Sequence, residues 1–315
     1  MTTTNTPGLF ERPITLPDTD AQGRLARLVG MDDKIRRLSN ILAVLINPAG
    51  LQKWLDQHHA HAPGLLDAVL RRPPLVVLSG DVGSGKTELA ETIGDMVARQ
   101  EGIDITLLPL SLSSRGQGRV GEMTQLVSAA FDHAFHEASK FKSSRSSRAR
   151  GGVILLVDEA DALAQSREAD QMHHEDRAGV NAFIRGIDRL ASGDLPAAVL
   201  MCTNRLNALD PAVRRRAADI LVFDRPDEVQ RLELLHRRLG DAGFSKADLQ
   251  ALVAATGEQA KRPYGFTYSD LTQRLLPAIV LDAYPQGPIK PSRAIELARA
   301  MVPTPPFKDS TARGY

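Results

Sequence analysis

One cysteine, Cys202, stands in 315 residues. No internal disulfide can staple this chain, and two histidine clusters (His58, His59 and His61; His173 and His174) lack the cysteine partners and spacing of a zinc site. They read as surface histidines. An excess of charge of either sign is lacking too: 39 Lys and Arg against 38 Asp and Glu leave a net charge of +1. No global field then draws the chain to nucleic acid or a membrane surface, and any such binding must be local. Long apolar runs are missing; Val153–Val157 falls far short of the ~20 residues that span a bilayer. The start MTTTNTPGLF has neither the basic nor the apolar block of a secretory signal. The expectation is a soluble, cytoplasmic protein without membrane contact. What remains is ample: 43% hydrophobic residues over a length that suits two domains.

Residues 1–20, rich in Thr and Pro, read as a flexible tail in which no core forms. From Ala21, apolar residues recur at helical spacing after Asp32 and Asp33, and Pro48 ends that helix. Short apolar runs then alternate with helical segments. The strands are LVVL (75–78), ITLLPL (105–110), VILLV (153–157) and AAVLMC (197–202); helices are expected near 122–139 and 178–190. Buried strands separated by helices predict an α/β fold, a parallel sheet covered on both faces. Beyond Phe223 only helical segments follow, at 228–239, 246–256, 269–283 and 292–301. The expected organisation is a large α/β domain at 21–225, a small helical lid domain at 226–302 and a loose tail at 303–315.

The run Gly80-Asp81-Val82-Gly83-Ser84-Gly85-Lys86-Thr87 satisfies G-x-x-x-x-G-K-[ST], directly after a strand and before a helix. Glycines let the backbone wrap phosphates with its N–H groups turned inward, and the helix adds its positive end. Lys86 is expected to reach the β and γ phosphates of ATP, and the Thr87 hydroxyl to bind Mg²⁺. The strand VILLV then delivers Asp158 and Glu159 at its C-terminal end, where open α/β sheets place ligands. Asp158 suits Mg²⁺, through water, and Glu159 suits the general base that polarises the attacking water. The run DEAD could also simply cap the next helix.

A further strand ends in Thr203-Asn204-Arg205 and is followed by LDPAVRRRAADI. With Val29-Gly30 before the first helix and the helical region after residue 226, these features resemble the AAA+ ATPases from about residue 25 to 302. The resemblance implies a P-loop three-layer α/β/α sandwich followed by a helical lid. It implies that Asn204 orients the lytic water, that Val29 and Gly30 contact adenine, and that Arg215 or Arg216 is an arginine finger reaching a neighbouring subunit's site. Gly118–Glu122 stands where ring-forming members carry a substrate-gripping pore loop, here with Arg119 in the aromatic's place beside Val120 and Gly121. In GFTYSDL, Asp270 holds the position often occupied by a lid arginine, and Arg274 is not assigned that role. The stretch AGVNAFIRGIDRL (178–190), then TNR and RAADI, is most similar to the pachytene-checkpoint type ATPases. That implies a homo-hexamer that remodels a HORMA-domain protein, with bacterial versions in cyclic-nucleotide antiphage systems. A nucleic-acid-associated ATPase, such as a helicase loader or transposition regulator, is the second reading. Balanced charge argues against it, and the basic run Lys140–Arg150 keeps it open.

Overall fold

The computed structural model describes residues 9–62, 64–112, 122–142, 148–161, 174–260 and 262–307. Among them six strands form one sheet: β1 (Ile14–Leu16), β2 (Leu75–Gly80), β3 (Asp104–Ser111), β4 (Gly151–Asp158), β5 (Ala197–Thr203) and β6 (Ala217–Phe223), in the order β1-β3-β4-β5-β2-β6. β3, β4, β5 and β2 are parallel to one another, so each return needs a crossover, and helices supply them. β5 is buried throughout, and β4 is buried up to its last residue, as a sheet covered on both faces requires.

The helices are α1 (Thr19–Ala26), α2 (Asp32–Ile46), α3 (Pro48–His58), α4 (Gly64–Leu70), α5 (Lys86–Glu101), α6 (Glu122–Ser139), α7 (His174–Gly193), the one-turn α8 (Pro211–Arg214), α9 (Glu228–Leu239), α10 (Lys246–Thr256), α11 (Leu276–Ala283) and α12 (Pro291–Ala300). A π-helical turn at Asp270–Leu275 leads into α11. None of the described helices is long and apolar enough to cross a membrane.

The chain divides into two compact units. The first is Met1–Ala26, Asp33–Ser79 and Thr87–Val222, and the second is Arg27–Asp32, Gly80–Lys86 and Phe223–Tyr315. The first packs the sheet against α6 and α7, where Phe131 and Phe183 meet edge-on at 5.4 Å. The second has its own core, in which Val29 joins Leu235, Leu252, Phe266, Leu271 and Leu275.

Several expectations are corrected. Residues 9–20 are not a loose tail: Leu9, Phe10 and Leu16 are buried, and Ile14–Leu16 adds an antiparallel edge strand to β3. Three residues between Pro13 and Pro17 are too few to show alternation, and only an edge strand tolerates such flanks. The sheet is thus mostly, not wholly, parallel. Pro48 ends one helix but also opens another, at the first-turn position where its missing N–H costs nothing. Thr304 and Phe307, in the expected C-terminal tail, are hydrogen-bonded, as described below.

Candidate functional site

The phosphate loop leaves β2 at Gly80, whose missing side chain is a steric necessity: a Cβ there would collide with the Phe223 carbonyl. At Gly83 the backbone is left-handed (φ 73°), and its carbonyl accepts from Ser269 N at 3.1 Å. Lys86 is almost fully buried, its Nζ donating to the Gly80 and Asp81 carbonyls at 3.0 and 2.8 Å. Those loop carbonyls hold the ammonium ready where phosphates would bind. Ser84 is buried too, whereas Val82 is exposed.

Asp81, which the motif leaves unspecified, is the loop's polar hub. It accepts from Arg225 Nε at 2.7 Å, from Val82 N at 3.0 Å and from Phe307 N at 3.1 Å. Arg225 also donates to the Gly265 carbonyl at 2.6 Å and lies over the Tyr264 ring. In the same unit Gly30 adopts φ 70°, and its carbonyl accepts from Gln230 Nε2 at 2.8 Å. Gln230 is itself half of a capping box with Asp227 at the start of α9. The Val29 side chain belongs to the lid core, so this dipeptide can offer a base only its backbone.

Asp270 is fully buried at the start of the π-helical turn. Burial alone would push its carboxyl up, but hydrogen bonds from Thr267 N, Thr304 Oγ1, Thr304 N and Arg274 outweigh it and hold the group below the ordinary aspartate range. Arg274 reaches on to the Val302 carbonyl. Asp270 therefore fastens the C-terminal segment to the helical unit, with Arg274 bound to the same carboxylate. A folded-state value below the unfolded one contributes stability that is complete above about pH 3.9 and is lost as pH falls through the depressed value. The Asp270→Asn variant is expected to be less stable by about 1.5–3 kcal/mol at pH 7. Urea unfolding at pH 7 and pH 3 should show this difference shrinking in acid; an unchanged difference contradicts the assignment.

In the first unit the strand ends fall in register: Ser111 opposite Asp158, Val157 opposite Met201, and Ser79 opposite Thr203. The acidic pair thus ends a strand flanked by β3 and β5. Asp158 Oδ1 accepts from Glu159 N at 2.8 Å, and Glu159 turns outward through a left-handed backbone conformation (φ 52°) that a non-glycine residue adopts only at a cost. The exposed Glu159 carboxylate accepts from Ser111 Oγ at 3.1 Å. While that bond holds, a lone pair that could take a proton is engaged. Beyond Glu159 the chain stays beside the end of β5, with Ala160 N donating to the Cys202 carbonyl at 3.0 Å. Asp161 consequently meets Thr203 and Asn204, a contact the sequence does not reveal.

The arginine run sits on a small device of its own. Asp210 caps α8 by accepting from Ala212 N at 2.7 Å, and Pro211 presets its first turn. The helix closes within one turn, so Arg215 follows directly and is exposed. Arg216 is instead occupied: its Nε and Nη2 grip the two oxygens of Asp188 at 2.7 and 2.9 Å, and its Nη1 donates to the Ala212 carbonyl. Where the sequence leaves Arg215 and Arg216 equivalent, the geometry separates them. Arg119, Val120 and Gly121 lie outside the described residues.

The chain matches the model of the ATPase family associated with various cellular activities (AAA) over residues 76–225. It is 62% identical over 301 residues to CD-NTase-associated protein 6 of Escherichia coli strain MS 115-1, covering 96% of each chain. It is 36% identical over 302 residues to CD-NTase-associated protein 6 of E. coli strain KTE188, covering 96% of this chain and 98% of the relative. Among solved structures it resembles a chain of the E. coli MS115-1 HORMA:CdnC:Trip13 complex, with a TM-score of 0.88 and 61% identity, covering 96% of this chain and 99% of that one. Rhizobiales Trip13 follows at a TM-score of 0.74 and 56% identity, covering 94% and 100%. With its phosphate loop, its acidic strand end and this similarity along nearly its whole length, the chain belongs to the AAA ATPases, in the family of CD-NTase-associated protein 6.

Proposed function

We propose that this ATPase assembles as a homo-hexameric ring in the cytoplasm and spends ATP hydrolysis on remodelling a HORMA-domain protein within a bacterial cyclic-nucleotide antiphage system. The observation that carries this reading is the match, over nearly the full length of both chains, to a component of a HORMA:CdnC:Trip13 complex.

Each site residue then has a task. The loop from Asp81 to Thr87 cradles the phosphates, and Lys86 exchanges its carbonyl partners for phosphate oxygens. Val29 and Gly30 present backbone to adenine. Thr87 and Asp158 offer a hydroxyl and a carboxylate, the hard oxygen donors that Mg²⁺ takes. No group of three His, Cys, Asp or Glu side chains gathers as a metal site among the described residues, which suits an ion held mostly by phosphate and water. When bound, Mg²⁺ would neutralise charge on the β and γ phosphate oxygens. Glu159 accepts the proton of the attacking water, Asn204 orients that water, and Arg215 reaches the neighbouring subunit's nucleotide. Arg119, Val120 and Gly121 are assigned the task of gripping the client.

ATP turnover measured with a HORMA-domain protein added, and separately with DNA added, tests the reading. Stimulation by the HORMA protein alone is expected. Stimulation by DNA alone would move the chain to the nucleic-acid-associated ATPases.

A further inference from the structure

We propose that Asp161 is a positioning residue for hydrolysis: it locks the Asn204 side-chain amide so that the oxygen Oδ1, and not the nitrogen Nδ2, takes the side that faces the attacking water. The proposal rests on the assignment of Asn204 to that water. Asp161 holds Asn204 twice. Its Oδ1 accepts from the Asn204 backbone N at 2.8 Å, which fixes the main chain, and its Oδ2 accepts from Nδ2 at 3.1 Å, which fixes the amide plane. The carboxylate is itself pinned, because Oδ1 also accepts from Thr203 Oγ1 at 2.7 Å, and Thr203 is buried. Thr203 Oγ1 in turn accepts from Arg205 N at 3.0 Å, so its own proton is directed at Asp161.

An ionised carboxylate only accepts hydrogen bonds. Turning the amide over would set two oxygens against each other, so the side of Asn204 remote from Asp161 carries Oδ1. A lone pair there takes a hydrogen from the water and aims the water's own lone pair away from Asn204, the orientation an attack on phosphorus needs. An Asn amide without this anchor could present either atom, and a donated N–H would point the water the wrong way.

The alternative is that Asp161 merely ties the exit of β4 to the end of β5. Asp161→Asn separates the two, since it keeps an oxygen for Thr203 Oγ1 and Asn204 N but sets an NH₂ against Nδ2 and favours the turned amide. ATP affinity and melting temperature should stay at parental values while kcat falls about 10- to 100-fold, the scale of a misplaced reactant. In an Asn204→Ala background the same substitution should change kcat less than about twofold, because the effect runs through Asn204. Asp161→Ser, too short to reach Nδ2, should show the same dependence on Asn204 and stands in if the first variant does not fold. An equal loss of kcat in both backgrounds, or no loss in either, overturns the proposal. If Asn204→Ala alone leaves kcat unchanged, the lytic-water assignment fails first and takes the proposal with it.

Discussion

In the Glu159→Gln variant, ATP turnover falls roughly 10²- to 10⁴-fold, the usual contribution of a positioned general base, while ATP still binds. Glutamine keeps the size of the side chain and an oxygen that can accept from Ser111 Oγ, so the left-handed turn at residue 159 has no new reason to relax. What it loses is the capacity to take a proton. Lys86, Thr87 and Asp158, the residues proposed to hold the phosphates and Mg²⁺, are untouched. The variant is therefore expected to accumulate in the ATP-bound state, and equilibrium binding of ATP beside a phosphate-release assay reads both halves. Turnover near the parental rate would remove Glu159 from the chemistry.

Arg215→Ala should cost more, about 10³- to 10⁵-fold in turnover by the assembled ring, as arginine fingers do elsewhere. A guanidinium that neutralises charge on the transferred phosphoryl must reach outward, and Arg215 is the exposed member of the pair. Arg216 would first have to leave Asp188, to which it is bound through two nitrogens. Arg216→Ala is accordingly expected to leave most of the turnover and to cost up to about 1 kcal/mol of stability, the worth of a partly exposed ion pair. If Arg215 acts on another subunit's nucleotide, as proposed, rings mixed from Arg215→Ala and Lys86→Ala chains should regain activity that neither has alone. Mixed rings shown to co-assemble yet remain inactive would contradict shared sites.

Much of this site is written locally in the chain. Four apolar runs give four of the six strands, and β4 and β5 are legible because strands buried on both faces carry unbroken apolar sequence. The phosphate loop is legible because close backbone approach demands glycine at fixed positions. α6, α9 and α10 fall where helical periodicity puts them. Other features depend on which strands become neighbours. Ser111 reaches Glu159 only because β3 lies beside β4 in one register, and Asp161 finds Thr203 and Asn204 only because β5 lies on the other side. The fourth residue of DEAD carries a hint of a capping role, but nothing local says what it would bond. Residues 9–20 and 303–307 mislead for a related reason. Each is short and rich in proline, and each is ordered by a distant partner: β3 for the first, Asp81 and Asp270 for the second. Arg215 and Arg216 are chemically the same residue until Asp188 on α7 claims one of them.

The most direct test of the central claim is to follow a HORMA-domain protein bound to its partner protein while this chain and ATP are added, recording release by size-exclusion chromatography or fluorescence anisotropy. Coupled remodelling predicts release that requires ATP, stops in Glu159→Gln, and proceeds no faster than ATP is consumed. Full ATP turnover with the HORMA complex left intact would contradict it.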